Sequence, residues 1–224
     1  MLAGHQPLKH TATWLQSRYI ALICGTVLAL LLLLARMFIT DALRLHFLVW
    51  NLILAWIPWL LSEWIVRRDR PTWLLAPVLV AWLLFFPNAP YIITDFYHLR
   101  QRQGIPVWFD LMLIFTFAWT GLMLGLQSLH QIYSRLMRPR MGKLAPWALI
   151  LLLLLTAYGV YAGRFMRLNS WEIATAPTNV AERMTAPLLH PRRHREVWAF
   201  TGVFAAFMGV VYVAYANNHR QDPQ

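Results

Sequence analysis

FFPNAPYIITDFYHL, residues 85–99, ends an apolar run with two prolines, an asparagine, an aspartate and a histidine. The run begins at Trp73, and the 14 residues from Trp73 to Phe86 make about 21 Å of helix at ~1.5 Å per residue. That is short of the ~30 Å hydrocarbon core of a bilayer. Pro87 and Pro90 therefore arrive while the chain is still at or just under a membrane interface. Pro87 removes a backbone donor and clashes with the preceding turn, and Pro90 biases Ala89 out of helix. Backbone freed at that depth is tolerated only against protein or a water-filled cavity. The stretch thus predicts a non-helical break from Pro87 to Pro90 with helix on both sides, to which Asn88 offers a donor and an acceptor. If a helix restarts at Pro90, then Tyr91, Asp95 and His98 fall at i, i+4 and i+7 and share one face.

Composition sets the class around this stretch. Of 224 residues, 59 % are hydrophobic and only 13 % charged, with a mean hydropathy of +0.48. A soluble domain of this length needs more charge on its surface. The net charge of +11 lies beside long apolar runs, where lipid headgroups favour it, and nothing resembles a nucleic-acid-binding motif. The single cysteine, Cys24, forms neither an intramolecular disulfide nor a cysteine metal cluster.

Six candidate spans follow from apolar length, because ~20 residues cross a bilayer core as a helix. They are Tyr19–Ile39, Phe47–Val66, the stretch from Trp73 into the opening segment, Val107–Leu129, Pro146–Gly163 and Val197–Ala216. The fold class is all-α, a polytopic bundle of six transmembrane helices with a Pro-broken third helix. It occupies residues 19–216, with polar segments at 1–18 and 217–224. Trp50, Trp73, Trp108, Trp147 and Trp198 fall near span ends, where indoles settle at the membrane interface. The first span is read as a retained helix rather than a signal peptide, since no small-residue cleavage site follows it. An even span count puts both termini on one side, named face A here. Of the 20 Lys and Arg, half fall on each face. Face A is taken as cytoplasmic because its loops are short and dense in arginine.

The polar residues segregate. Asn51, Asn88, Asp95, His98, Asp110, Arg164, Arg167, Asn169, Ser170 and Glu172 all map to face B. Face A offers Glu63 and Asp69 among arginines, which read as solvated flanks. Each feature has a plain structural explanation: a capped proline kink for Asn88, the helix macrodipole for Asp110, snorkelling anchors for Arg164 and Arg167. Gly121 and Gly125 form a small-residue pair suited to packing within the monomer, and His190–Arg195 suits anionic lipid. Their collection on one side is what a site would produce, because ionisable residues within membrane proteins mark function. Asp95, His98, Asp110, Arg164 and Arg167 are expected to converge.

Three segments carry a resemblance: FFPNAPYIITDFYHL, VWFDLML (Val107–Leu113) and GRFMRLNSWEI (Gly163–Ile173). They resemble the motifs of the bacterial domain of unknown function 1361, a family of polytopic membrane proteins of about this size. The resemblance runs from the second span to the sixth. It implies a helical fold in the bacterial inner membrane and supplies no activity or cofactor. Its motifs fall on Pro87, Asn88, Pro90, Tyr91, Asp95, His98, Asp110, Arg164, Asn169, Ser170 and Trp171.

Three functions suit these residues. The first is binding or processing of an anionic lipid or lipid-linked headgroup. Arginines fit phosphate, and a carboxylate–histidine pair moves protons. Asp95, His98 and Asp110 are then the catalytic candidates, with Asn51, Asn88, Tyr91, Arg164, Arg167, Asn169, Ser170 and Trp171 as ligand-binding residues. No metal is assigned, since no metal-binding signature appears and two arginines oppose a cation. The second is a membrane scaffold whose motifs are structural ion pairs. The third is a small-solute transporter, for which broken helices are typical, although no inverted repeat is visible. The partner common to all three is the lipid bilayer.

Overall fold

A computed structural model describes residues 7–40, 45–67, 71–101, 104–168 and 175–218, residues 7–18 and 72 as backbone alone. Among the described residues 88 % are helical and none forms a strand, so the class is all-α. Helix α1 runs Pro7–Thr40, α2 Phe47–Val66, α3 Thr72–Phe85 and α4, a single turn, Asn88–Tyr91. A 3-10 helix over Ile92–His98 follows. Then come α5 (Val107–Ile132), α6 (Arg138–Met141), α7 (Ala145–Arg164), α8 (Pro177–Leu189) and α9 (Arg195–Asn218).

Among the described residues five helical stretches are long and apolar enough to cross a membrane: Tyr19–Thr40, Phe47–Val66, Trp73–His98, Val107–Arg164 and Arg195–Asn218. The sequence predicts six. The difference lies in the fourth stretch, 58 residues long, which takes in two predicted spans, α5 and α7. A π turn at Tyr133–Met137, the short α6 and a 3-10 turn at Gly142–Leu144 join them without a loop. Within this joint Gly142 has φ +52°, a left-handed value that glycine adopts at little cost.

The helix ends define two layers of polar contacts. Near one end lie Arg36 late in α1, Asn51 early in α2, Asp95, Asp110 early in α5 and Arg164 at the end of α7. Near the other lie Tyr19, Glu63 and Gln131. Between them α5 is the central helix, with one core formed by α1, α2, the PNAPY turn and α5, and a second by α3, α5, α7 and α9. Ser128 of α5 ties three elements together. It accepts from the Trp82 indole (2.8 Å) and donates to the Pro58 carbonyl (2.9 Å). Trp50, Trp73, Trp108, Trp147 and Trp198 are all exposed, as interfacial indoles should be.

The prolines of the PNAPY segment do not take the backbone out of helix, contrary to the predicted break. Phe86 and Pro87 keep right-handed helical dihedrals (φ −56° and −58°), and Ala89 lies inside α4 despite Pro90. The change is one of winding, from α-helix to a two-residue turn, one α turn, then 3-10. Asn88 compensates by donating from Nδ2 to the Phe85 carbonyl at 2.9 Å. The segment fits because glycines make room on both sides. A Cβ at Gly121 of α5 would lie 2.8 Å from the Ala89 carbonyl oxygen, and one at Gly159 of α7 2.8 Å from Pro87 Cγ, far inside van der Waals contact. Gly121 and Gly125 thus pack within the monomer, as the sequence predicts. Gly159 and Gly163 of α7 form a matching pair, against Pro87 and Tyr91.

Candidate functional site

The two carboxylates at face B are held by different arginines. Asp95 is fully buried in the 3-10 helix. Its Oδ1 accepts from Arg164 Nη1 (3.0 Å) and its Oδ2 from Asn51 Nδ2 (2.8 Å). Arg164 Nη2 also donates to the Thr94 carbonyl (2.7 Å), and Nη1 lies 3.4 Å from the Tyr91 hydroxyl. Arg164 is 11 % exposed. Asp110 pairs instead with Arg36 of α1, Nε to Oδ1 at 2.6 Å and Nη2 to Oδ2 at 3.3 Å. Both side chains are 1 % exposed. Such two-pronged geometry is what lets an ion pair survive burial.

The predicted five-way convergence therefore resolves into two pairs. Asn51, Tyr91, Asp95 and Arg164 come together, and Asp110 leaves them for Arg36. His98 packs its ring on Phe47 at 4.9 Å, and the side chains that hold Asp95 are those of Asn51 and Arg164. The reason is the winding. At three residues per turn, i and i+7 lie about a third of a turn apart, so the face expected from α-helical spacing is lost. The same winding stacks Ile92 and Asp95 on the buried side. Arg167 is exposed, with φ +55°, a left-handed value uncommon outside glycine. It turns the chain off α7, and Leu168 N–H closes back on the Ala162 carbonyl at 3.1 Å. Asn169, Ser170 and Trp171 lie outside the described residues.

A partly open cavity of about 320 Å³ adjoins the Asp95–Arg164 pair. Its wall comes from α2 (Trp50, Asn51, Leu54), the α3–α4 junction (Leu84, Asn88, Tyr91), α7 (Leu155, Gly159) and α8 (Val180, Met184). Most of this lining is apolar; of its polar residues, Asn51, Asn88 and Tyr91 belong to the segments that meet at face B, and Thr156 of α7 donates its hydroxyl to the Leu152 carbonyl at 2.7 Å. Asn51 and Tyr91 are shared, lining the cavity and bonding the ion pair. Among the described residues, no three of His, Cys, Asp and Glu stand close enough to hold a metal ion.

Sequence reasoning missed three contributors. Arg36, inside LLLLLARMFI near the end of the first predicted span, has no role in the sequence reading, although an arginine well inside an apolar run is itself a signal. Helix α8 lies between the fifth and sixth predicted spans, where apolar length gives no sign of it; Val180, Met184 and Pro187 at i, i+4 and i+7 carry its inner face. It is fastened by Tyr158 Oη to the Met184 carbonyl (2.5 Å), by Trp198 Nε1 to the Pro187 carbonyl (3.3 Å), and by Arg183 to the Met166 carbonyl. The third is Glu63, read as a solvated flank. It is buried at 6 % exposure, accepting from Tyr19 Oη (3.1 Å), Arg67 Nε (2.9 Å) and Gln131 Nε2.

The family model for "Protein of unknown function (DUF1361)" matches residues 50–211, well over half of the chain and all of the cavity wall. The chain belongs to the DUF1361 family. The match begins after α1, so Asp110 lies within it and its partner Arg36 outside it. No curated protein and no solved structure matches the chain.

Proposed function

We propose that this DUF1361 chain is a six-span integral membrane protein that binds an amphiphile at face B, the apolar chain in the cavity and an anionic headgroup at its mouth. One observation carries the reading: an apolar cavity ends on polar groups that a buried ion pair holds in place. Pockets for small molecules have this character, mostly apolar with a few fixed polar groups, and run roughly 300–1,000 Å³. At about 320 Å³ the cavity suits part of one chain rather than a whole lipid. Arg167 and Arg183, both exposed and next in sequence to the cavity-lining Leu168 and Met184, supply positive charge for a phosphate.

Binding fits the site better than catalysis. Every carboxylate oxygen of Asp95 and Asp110 is already engaged by a donor, whereas a general base needs an oxygen within reach of the substrate proton. The pairs read as the frame of the site. Six spans are supported by the ends that meet: Arg36, Asn51, Asp95, Asp110 and Arg164 sit at alternate ends of successive helices, as an up-and-down bundle requires. With face A cytoplasmic, both termini face the cytoplasm of a bacterial cell and the site faces outward.

Native mass spectrometry of the protein released from membranes tests the reading. Bound lipid is expected on the wild type and is expected to be lost from Leu54→Trp, which fills the cavity, at an unchanged melting temperature. A wild type that carries no lipid, or a Leu54→Trp variant that keeps it all, would refute the proposal.

A further inference from the structure

The polar groups of the cavity have a definite donor and acceptor sense. Asn51 Nδ2 donates to a carboxylate and Asn88 Nδ2 to a backbone carbonyl. Those partners accept only, so they fix which end of each amide is nitrogen. Each side chain then has its Oδ1 left over. Neither oxygen accepts a hydrogen bond among the described residues, and neither is a sealed, unpartnered atom, so both stay open beside the cavity that their residues line. Tyr91 receives an N–H from Arg164, which leaves its own O–H proton to donate. These three residues therefore present two acceptors and a donor to the cavity.

Its nearest cation is already committed. Three hydrogen bonds from Arg164 go to Asp95, Thr94 and Tyr91, and the pair is neutral together. A phosphate or carboxylate oxygen placed here would meet two amide oxygens, acceptor against acceptor. A hydroxyl both donates and accepts, so it satisfies an amide oxygen and the Tyr91 phenol alike. We infer that Asn51, Asn88 and Tyr91 read hydroxyl groups, and that the ligand is an amphiphile with a hydroxyl-bearing, glycerol-like headgroup whose charged part stays outside at the arginines. This rests on the amphiphile reading above and adds the chemistry of the headgroup to it.

Two lipids with the same chains and the same single charge separate the ideas: phosphatidylglycerol, with two headgroup hydroxyls, and phosphatidylethanol, with none. Both are titrated into delipidated full-length protein in neutral detergent, and the bound fraction is read by native mass spectrometry. Phosphatidylglycerol is expected to bind about tenfold more tightly, the effect of leaving one or two buried polar groups unpaired in the other complex. Tyr91→Phe keeps the ring that packs on Gly163. It is expected to bring phosphatidylglycerol down towards phosphatidylethanol and leave phosphatidylethanol unchanged. Should that variant fail to fold, the wild-type comparison decides alone. Equal affinity for the two lipids would overturn the hydroxyl inference and leave the amphiphile reading standing; binding of neither would overturn both. Displacement of phosphatidylglycerol by millimolar free glycerol phosphate would assign the site to a soluble polyol and overturn the lipid source.

Discussion

The two ends of α2 bury polar groups in opposite styles. At face B, Asn51 meets Asp95, whose charge is cancelled by Arg164, and a second charge pair, Arg36–Asp110, lies sealed nearby. At face A, Glu63 is surrounded by neutral donors from Tyr19 and Gln131, and Ser62 donates to Gln131 Oε1 at 2.7 Å. Among the described residues its one cationic partner is Arg67, whose side chain is 66 % exposed. The cavity lies at the Asn51 end. Charge neutralised inside the protein can hold a polar surface beside an apolar cavity without drawing in counterions. Charge neutralised partly by solvent clamps helix ends. The first arrangement suits a site, the second a fastening.

The largest expected effect falls on the sealed pair. Arg36→Met leaves the Asp110 carboxylate buried without its arginine and should cost about 3–5 kcal/mol, whereas adding Asp110→Leu should return most of that loss. Thermal unfolding in detergent reads both. A single variant as stable as wild type would show that this carboxylate is rehydrated, and the contrast between the faces would collapse. The effects at face A should be smaller and unequal. Glu63→Ala strands the Tyr19 and Gln131 donors, for about 1–3 kcal/mol. Arg67→Ala removes only an exposed partner, for no more than about 1 kcal/mol. If Arg67→Ala proved the more damaging of the two, Glu63 would depend on its ion pair after all, and the distinction drawn here would be wrong.

Much of this was legible in the sequence, and the failures share a cause. Span positions follow from apolar length, and the helix ends lie within a few residues of the predicted ones except at the start of α1, which begins at Pro7 and not at Tyr19. Asp95 and Arg164, two of the five residues expected to converge, do meet, because both lie at span ends that topology brings to one face. Partner choice was harder. Asp110 could have met Arg164 or Arg36, and only the packing of α1 on α5 decides between them. Winding was harder still. Pro87 and Pro90 read as breakers, but Asn88 and the Gly121 and Gly159 surfaces let the chain stay helical, and the 3-10 turn then moved His98 off the expected face. Glu63 reads as solvated because arginines neighbour it, while two of its three donors, Tyr19 of α1 and Gln131 of α5, are far away in sequence.

Photolabelling tests the central claim, an amphiphile in the face B cavity, most directly. A lipid with a diazirine near the end of its acyl chain is bound to the purified protein, irradiated, and the adducts are mapped by peptide mass spectrometry. The account predicts labelling concentrated on Leu54, Leu155 and Met184, from three separate helices around one cavity, and suppressed by excess unlabelled lipid. Adducts spread evenly over outward residues such as Val203 and Val210 of α9, both exposed, with no protection by competitor, would contradict it.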